Sequence, residues 1–238
     1  MKISGVLLLA LALRPLPASA LSIGEIAQKG VDALGGAGRL QAVRSERMTG
    51  LIGFGDQEPV PVLVELKRPG KIRTQVEFKA GRFVQGFNGA AGWTIDPSLG
   101  GKPAEMSAEQ ARNLPERADI DGPLLRWKQR GIRLEIEGRE KVRGTAAFRI
   151  RVTRPDGAVR FLDLDASSFR KIRWEGELGE GSRKSMNESY FADYRRIGGL
   201  LFPFRIESGS GGRVTQTIVF RKIEVNPVID DSRFEMPK

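Results

Sequence analysis

From Met48 onward, apolar and polar residues alternate in one short segment after another, and this period of two restricts the fold more than any other feature. Met48, Gly50, Ile52 and Phe54 form one face of the first segment, and Val60, Val62, Val64 and Leu66 one face of the second. In the third, Ile72, Thr74, Val76 and Phe78 face one way while Arg73, Gln75, Glu77 and Lys79 face the other. Successive side chains of a strand point to opposite faces, so this pattern predicts half-buried strands. Pro69-Gly70, Ala80-Gly81 and Asn88-Gly89 are turn signals, and further strands are expected over residues 82–87 and 92–96. Consecutive hairpins of this kind make an antiparallel meander.

Two stretches interrupt the alternation. Ile23, Ile26, Ala27, Val31 and Leu34 recur near helical spacing, with Ser22 as a cap and Gly35-Gly36 as a stop. Residues 39–43 add a short helical turn. Residues 96–106 read as a Gly/Pro-rich loop, after which Ser107 and Gln110 form a capping box that starts a helix. A second helical piece is expected over residues 123–130, carrying Leu124, Leu125 and Trp127, because Pro115 and Gly122-Pro123 split the region.

Strands then resume with Ile132, Leu134 and Ile136, and with Ala146, Phe148, Ile150 and Val152. They continue over residues 159–165, 171–178, 184–195, 201–208 and 214–225. The total is ten or eleven strands with few helices. A sheet this wide with one apolar face must curl over something. The expected fold is mainly β with α (α+β): a strongly curved antiparallel sheet, an incomplete β-barrel, with helices on its concave side.

The first twenty residues read as a cleavable export signal. Lys2 supplies a positive start, residues 3–13 are almost wholly apolar, and Ala18-Ser19-Ala20 is a small-x-small cleavage site. Residues 21–238 then form a single domain. Leu21 follows the cut and the chain has no cysteine, so no lipid anchor is expected there, and the protein is expected to be periplasmic and soluble. Without cysteine or histidine there are no disulfides, no thiol nucleophile, no Ser-His-Asp triad and no imidazole zinc site. No cofactor or metal is expected. The net charge of +10 invites a nucleic-acid partner. The basic residues are interleaved with acidic ones, however, as in residues 130–137, which suits a solvated strand face. A basic surface facing anionic headgroups or an acidic partner suits an exported protein better than nucleic acid does.

The apolar residues are the candidate site. Val62, Val64, Ile72, Val76, Phe78 and Phe83 would line a cavity on the sheet's concave face. Phe87, Trp93, Leu125, Trp127 and Phe148 would add to it. A one-sided sheet this wide carries more apolar surface than a few short helices cover, and large uncovered apolar concavities mark ligand sites. Residues 96–122 could form a lid hinged at Gly100-Gly101 or a plain connection. Asp163, Asp165, Asp230 and Asp231 read as solvated strand and turn charges, and no convincing carboxylate pair supports an enzyme.

Four stretches carry a resemblance. They are Ala33-Leu34-Gly35-Gly36-Ala37-Gly38-Arg39-Leu40, Phe87-Asn88-Gly89-Ala90-Ala91-Gly92-Trp93-Thr94-Ile95, Tyr190-Phe191-Ala192-Asp193-Tyr194 ahead of Gly199-Leu200-Leu201-Phe202-Pro203-Phe204, and Asn226-Pro227-Val228-Ile229-Asp230-Asp231-Ser232-Arg233-Phe234. In this order they make the mature chain resemble the LolA-like group of periplasmic lipoprotein carriers and lipoprotein-sorting proteins. The resemblance implies an incomplete barrel with a helical lid over a hydrophobic cavity. It implies a monomeric, non-enzymatic carrier that binds lipoprotein acyl chains or another lipid, with membrane-bound donor and acceptor proteins. It also implies a gating arginine in the cavity, for which Arg47, Arg73 and Arg82 are the candidates. A periplasmic sensor recognising a lipid or a partner protein is the alternative.

Overall fold

The computed structural model describes residues 21–178 and 185–238, so the predicted export signal lies outside the described residues. Helix α1 spans Ile23–Ala33. Its capping box is reciprocal: Ser22 Oγ accepts the Glu25 N–H and the Glu25 carboxylate accepts the Ser22 N–H. Helix α2 follows over Ala37–Ala42.

Six strands come next: β1 Ser45–Phe54, β2 Val60–Lys67, β3 Lys71–Phe78, β4 Gly81–Phe87, β5 Gly92–Ile95 and β6 Pro103–Glu105. Two one-turn helices, α3 Ala108–Ala111 and α4 Leu114–Arg117, separate them from seven more strands. These are β7 Arg133–Val142, β8 Thr145–Thr153, β9 Val159–Asp165, β10 Lys171–Leu178, β11 Ser185–Ile197, β12 Leu200–Ser210 and β13 Arg213–Val225.

All thirteen strands form one antiparallel sheet in the order β6-β5-β4-β3-β2-β1-β13-β12-β11-β10-β9-β8-β7. The chain starts in the middle, walks to one edge, crosses over, and walks back from the other edge until β13 pairs with β1. The edges β6 and β7 do not pair with each other, so the sheet stays open.

The register places one row of side chains on a common face. Ile52 lies opposite Ile218, Ile218 opposite Ile206, and Ile206 opposite Phe191. Two residues along β11, Ser189 lies opposite Trp174, and the row runs on through Leu162, Ile150 and Ile136. Val62, Val76 and Phe83 continue it in the other direction. We call this the inner face, and the α-helices pack on it.

Three features differ from the sequence expectation, the first being the strand count, thirteen among the described residues where ten or eleven were expected. Strand β6 falls within the predicted loop: three residues beginning with proline are too few to show an alternation. Residues 123–130 are not a helix. Arg126 sits at φ 51°, between Gly122 at 62° and Gly131 at 67°, and the left-handed residues break the segment into successive hydrogen-bonded turns.

Helices cover the inner face only at its flanks. On one flank, Ile26, Ala27 and Val31 of α1, with Leu124 and Leu125, bury Leu134, Phe148, Ile150, Val152, Leu162 and Leu164. On the other, Leu114 and Ala118 bury Leu66, Ile72 and Phe87, with Met106 and Ala111 beside them.

Candidate functional site

Between the flanks lies an apolar strip that no helix covers. Its clusters contain strand residues alone: Ile52, Val62 and Val76 with Phe54, Phe78 and Phe83 on one side, and Phe204, Phe220 and Ile223 with Met48, Phe202 and Ile206 on the other. Val64 and Ile218 join the two. Phe78, Phe83, Phe202, Ile206 and Ile218 remain half-buried with no helix residue in their clusters, whereas Met48 and Val64 also pack against the cluster that contains Leu114 of α4 and Ala118.

A strap crosses this space. Glu116 of α4 accepts hydrogen bonds from Trp174 Nε1 at 2.8 Å and Arg160 Nε at 2.9 Å, on β10 and β9. Asn113 accepts a second bond from Arg160 at 2.9 Å. Arg160 reaches them by crossing Gly176, where a Cβ would stand 2.2 Å from its Cδ. The next strap residue, Arg117, donates the opposite way, to Thr74 of β3 at 3.3 Å and to Gln85 of β4. Strands β3 and β10 are six positions apart in the sheet, about 29 Å if it were flat. A four-residue helix is only about 6 Å long. The sheet must therefore be strongly curled, with α4 bridging its two halves.

The curl shows in the electrostatics. Three ionisable groups on this side keep solvent contact and are nonetheless desolvated by the protein around them. Burial lifts the Glu46 carboxyl to about 7 against the opposing pull of Arg68. Burial draws the Lys171 ammonium down to about 8, with Glu116 opposing it. Burial also lowers Arg117. Removing water from a charge disfavours its charged form, whichever its sign. The Lys171 Nζ rests 3.8 Å from the centre of the Phe191 ring.

Most predicted cavity residues share this inner face. Val64, Phe78 and Phe83 border the open strip, while Val62 and Val76 are buried at its base and Ile72 and Phe87 beneath α4. Leu125 and Phe148 are buried under α1, with Trp127 half-buried against them. Trp93 is placed elsewhere, on the outer face. Its indole lies over Gly86, 2.3 Å from where a Cβ would stand, and donates to the Phe234 carbonyl at 2.7 Å.

The three gate candidates also point outward. Arg47 donates to buried Glu65 at 3.0 Å, Arg73 lies 3.9 Å from the same carboxylate, and Arg82 pairs with Glu77 at 2.8 Å. Arg233, from the C-terminal segment that crosses the outer face, completes the Glu65 cluster at 2.7 Å. Parity explains the placement: Arg47 precedes inward Met48, Arg73 follows inward Ile72, and Arg82 precedes inward Phe83. The arginines with contacts on the inner face include Arg117 and Arg160, through the strap's hydrogen bonds, Arg195, over the Phe204 ring, and Arg139, over the Phe148 ring. Arg160 was legible by the same parity, two residues before Leu162.

Asp163 is a correction to its reading as a solvated charge. It is fully buried on the outer face, where Arg173 donates to it at 2.7 Å and Arg149 lies 3.4 Å away. Burial raises its carboxyl to about 6. A shallow groove of about 460 Å³ also lies on the outer face, lined by Leu51, Gln57, Arg205, Val214 and Val219. It lacks the aromatic lining of the inner strip. Phe191, Phe202, Ile206 and Ile218 were not among the predicted lining, although their segments were recognised as strands, because their place beside the first strands depends on the long-range pairing of β13 with β1.

This chain shares its fold, an open, curled antiparallel sheet with α-helices on the inner face, with solved LolA-like proteins. It is similar to an outer membrane lipoprotein-sorting protein domain from Vibrio parahaemolyticus, with TM-score 0.59 and 13% identity over 89% of this chain and 95% of that one. A LolA superfamily protein from Nitrosomonas europaea matches with TM-score 0.59 and 16% identity over 91% and 98% of the two chains. A DUF1329 family protein from Desulfovibrio piger matches with TM-score 0.59 and 10% identity over 88% and 95%. No family model and no curated protein matches the sequence. Among the described residues, no helix is long and apolar enough to cross a membrane and no residue cluster could hold a metal ion.

Proposed function

We propose that this chain is a soluble, non-enzymatic periplasmic carrier that holds the acyl chain of a lipoprotein or another lipid on the inner-face strip. The observation that carries this reading is the strip itself: an aromatic and aliphatic surface left uncovered between two helix-covered flanks, under a strap that spans the sheet. Each buried methylene contributes about 0.8 kcal/mol, so a C16 chain gains roughly 10 kcal/mol before entropic costs. That is enough to shield the chain in water and small enough to release it to a membrane.

The fold shared with a lipoprotein-sorting domain supports the reading. So does the predicted export signal over residues 1–20, with Leu21 rather than a lipidated cysteine after the cut, since a shuttle must diffuse. Residues 21–238 act as one domain and one monomer, loading from a membrane-bound donor and unloading to an acceptor.

The test is native mass spectrometry of protein purified from the exported fraction, with organic extraction of what it holds. A stoichiometric acyl-bearing ligand is the expected result. An empty protein that captures neither lipoprotein nor lipid when challenged would overturn the proposal.

A further inference from the structure

The inner face is not uniformly apolar, and its charged groups bear on what the acyl chain is attached to. Lys171 opens β10 beside the strip: its ammonium lies over Phe191, which stands opposite Ile206 in the register. Its own carbonyl is held by the Tyr194 hydroxyl at 2.6 Å, which fixes the backbone beneath it. The carboxylate that acts on Lys171 is Glu116, yet both Glu116 oxygens are already taken, one by Trp174 and one by Arg160. Arg170, the neighbouring cation, stacks over Tyr194. Among the described residues, Lys171 therefore has no salt-bridge partner, although the protein around it desolvates it. Among the described residues, Arg117, on the strap, hydrogen-bonds only the neutral Thr74 and Gln85.

A desolvated ammonium is destabilising unless a counter-ion compensates it. The outer face illustrates the alternative. There, buried Glu65 and Asp163 are each surrounded by arginines. The inner face holds a cation without its anion, at the margin of the strip that no helix covers.

We propose that Lys171 receives the anionic headgroup, a carboxylate or a phosphate, of an acyl lipid whose chain lies along the strip. The assignment rests on the carrier reading above and narrows it from any acyl-bearing ligand to one with a negatively charged head. Arg117 adds positive potential from the strap side. An anion beside Lys171 opposes the desolvation that lowers its ammonium and favours the charged form.

The experiment compares three lipids that share one acyl chain: palmitate, 1-palmitoyl-lysophosphatidate and neutral monopalmitoylglycerol. Each is titrated into the full mature chain and into K171Q, K171R and, as a distant charge control, K79Q. The wild-type chain should bind at least one anionic lipid about tenfold or more tighter than the neutral one. K171Q should erase that preference while keeping the neutral affinity, K171R should retain it, and K79Q should match wild type. Preference for palmitate alone identifies a carboxylate head, and for lysophosphatidate alone a phosphate head. Equal wild-type affinity for all three lipids, or an undiminished preference in K171Q, overturns the headgroup assignment and leaves acyl binding standing. No binding of any lipid overturns both readings.

Discussion

The flanks and the centre of the inner face are built from the same alternating strands, yet one is a packed core and the other is not. Leu162, under α1, is 1% exposed, whereas Ile206, two strands beyond β10 in the sheet, is half-buried with no helix above it. The difference does not lie in the strands. It lies in what the rest of the chain places over them: α1 and residues 124–125 on one flank, α3 and α4 on the other, and only the narrow strap between. Apolar surface left in water forgoes about 25 cal/mol per Å² of stabilisation. The half-buried residues of the strip forgo part of that stabilisation, while Ile52, Val62, Val76, Phe204, Phe220 and Ile223 are buried by the curled sheet.

The contrast can be broken most directly by truncating one residue in each region. Leu162→Ala should destabilise the protein by about 2–5 kcal/mol in urea unfolding, because it opens a cavity in a closed core. Ile206→Ala should cost about 1 kcal/mol or less and should instead weaken acyl-lipid binding. Equal losses of stability at the two sites would show that the strip is as tightly packed as the flank.

The strap is tested next. Glu116→Gln weakens the charge-assisted bonds to Trp174 and Arg160 and should cost about 1–3 kcal/mol. Amide exchange should speed up in α4 before it does in β8 or β9. If it speeds up equally in all three, α4 is part of the flank core and not a separate bridge.

A smaller effect sharpens the electrostatic contrast. The folded pKa of Glu46, about 7, lies above its ordinary 4.5, so between these values the native state binds more protons than the unfolded one. Its contribution to stability is therefore most favourable below 4.5 and falls as pH rises to 7. Asp163, raised to about 6, acts with the same sign over a lower window. In thermal unfolding, Glu46→Gln should gain on wild type as pH goes from 4.5 to 8. A constant difference across that range would place Glu46 in open water. The smallest effect is expected at Arg82, whose exposed pair with Glu77 should contribute no more than about 0.5 kcal/mol when replaced by alanine.

Much of this architecture was legible along the chain. The capping boxes at Ser22 and Ser107 started helices where expected, and the alternation from Met48 to Phe78 placed the correct residues inward. The same alternation, followed strictly, would have set Arg47, Arg73 and Arg82 outward and directed attention to Arg160. Trp93 misled for a different reason. Its strand is four residues long, and only Gly86 beside it and the C-terminal segment above it explain an outward aromatic. Asp163 alternates like a surface charge, and only its neighbours on β8 and β10 show that the surface there is covered by arginines.

The sequence by itself determined the strands, their turns and the side to which each residue points, because these depend on periods of two to four residues and on local steric limits. The tertiary structure alone decided that β13 closes on β1, that the sheet curls until one short helix touches both halves, and that Lys171 comes to rest over Phe191. Those features join residues far apart in the chain. They follow from register and curvature summed over many strands, which no local pattern encodes.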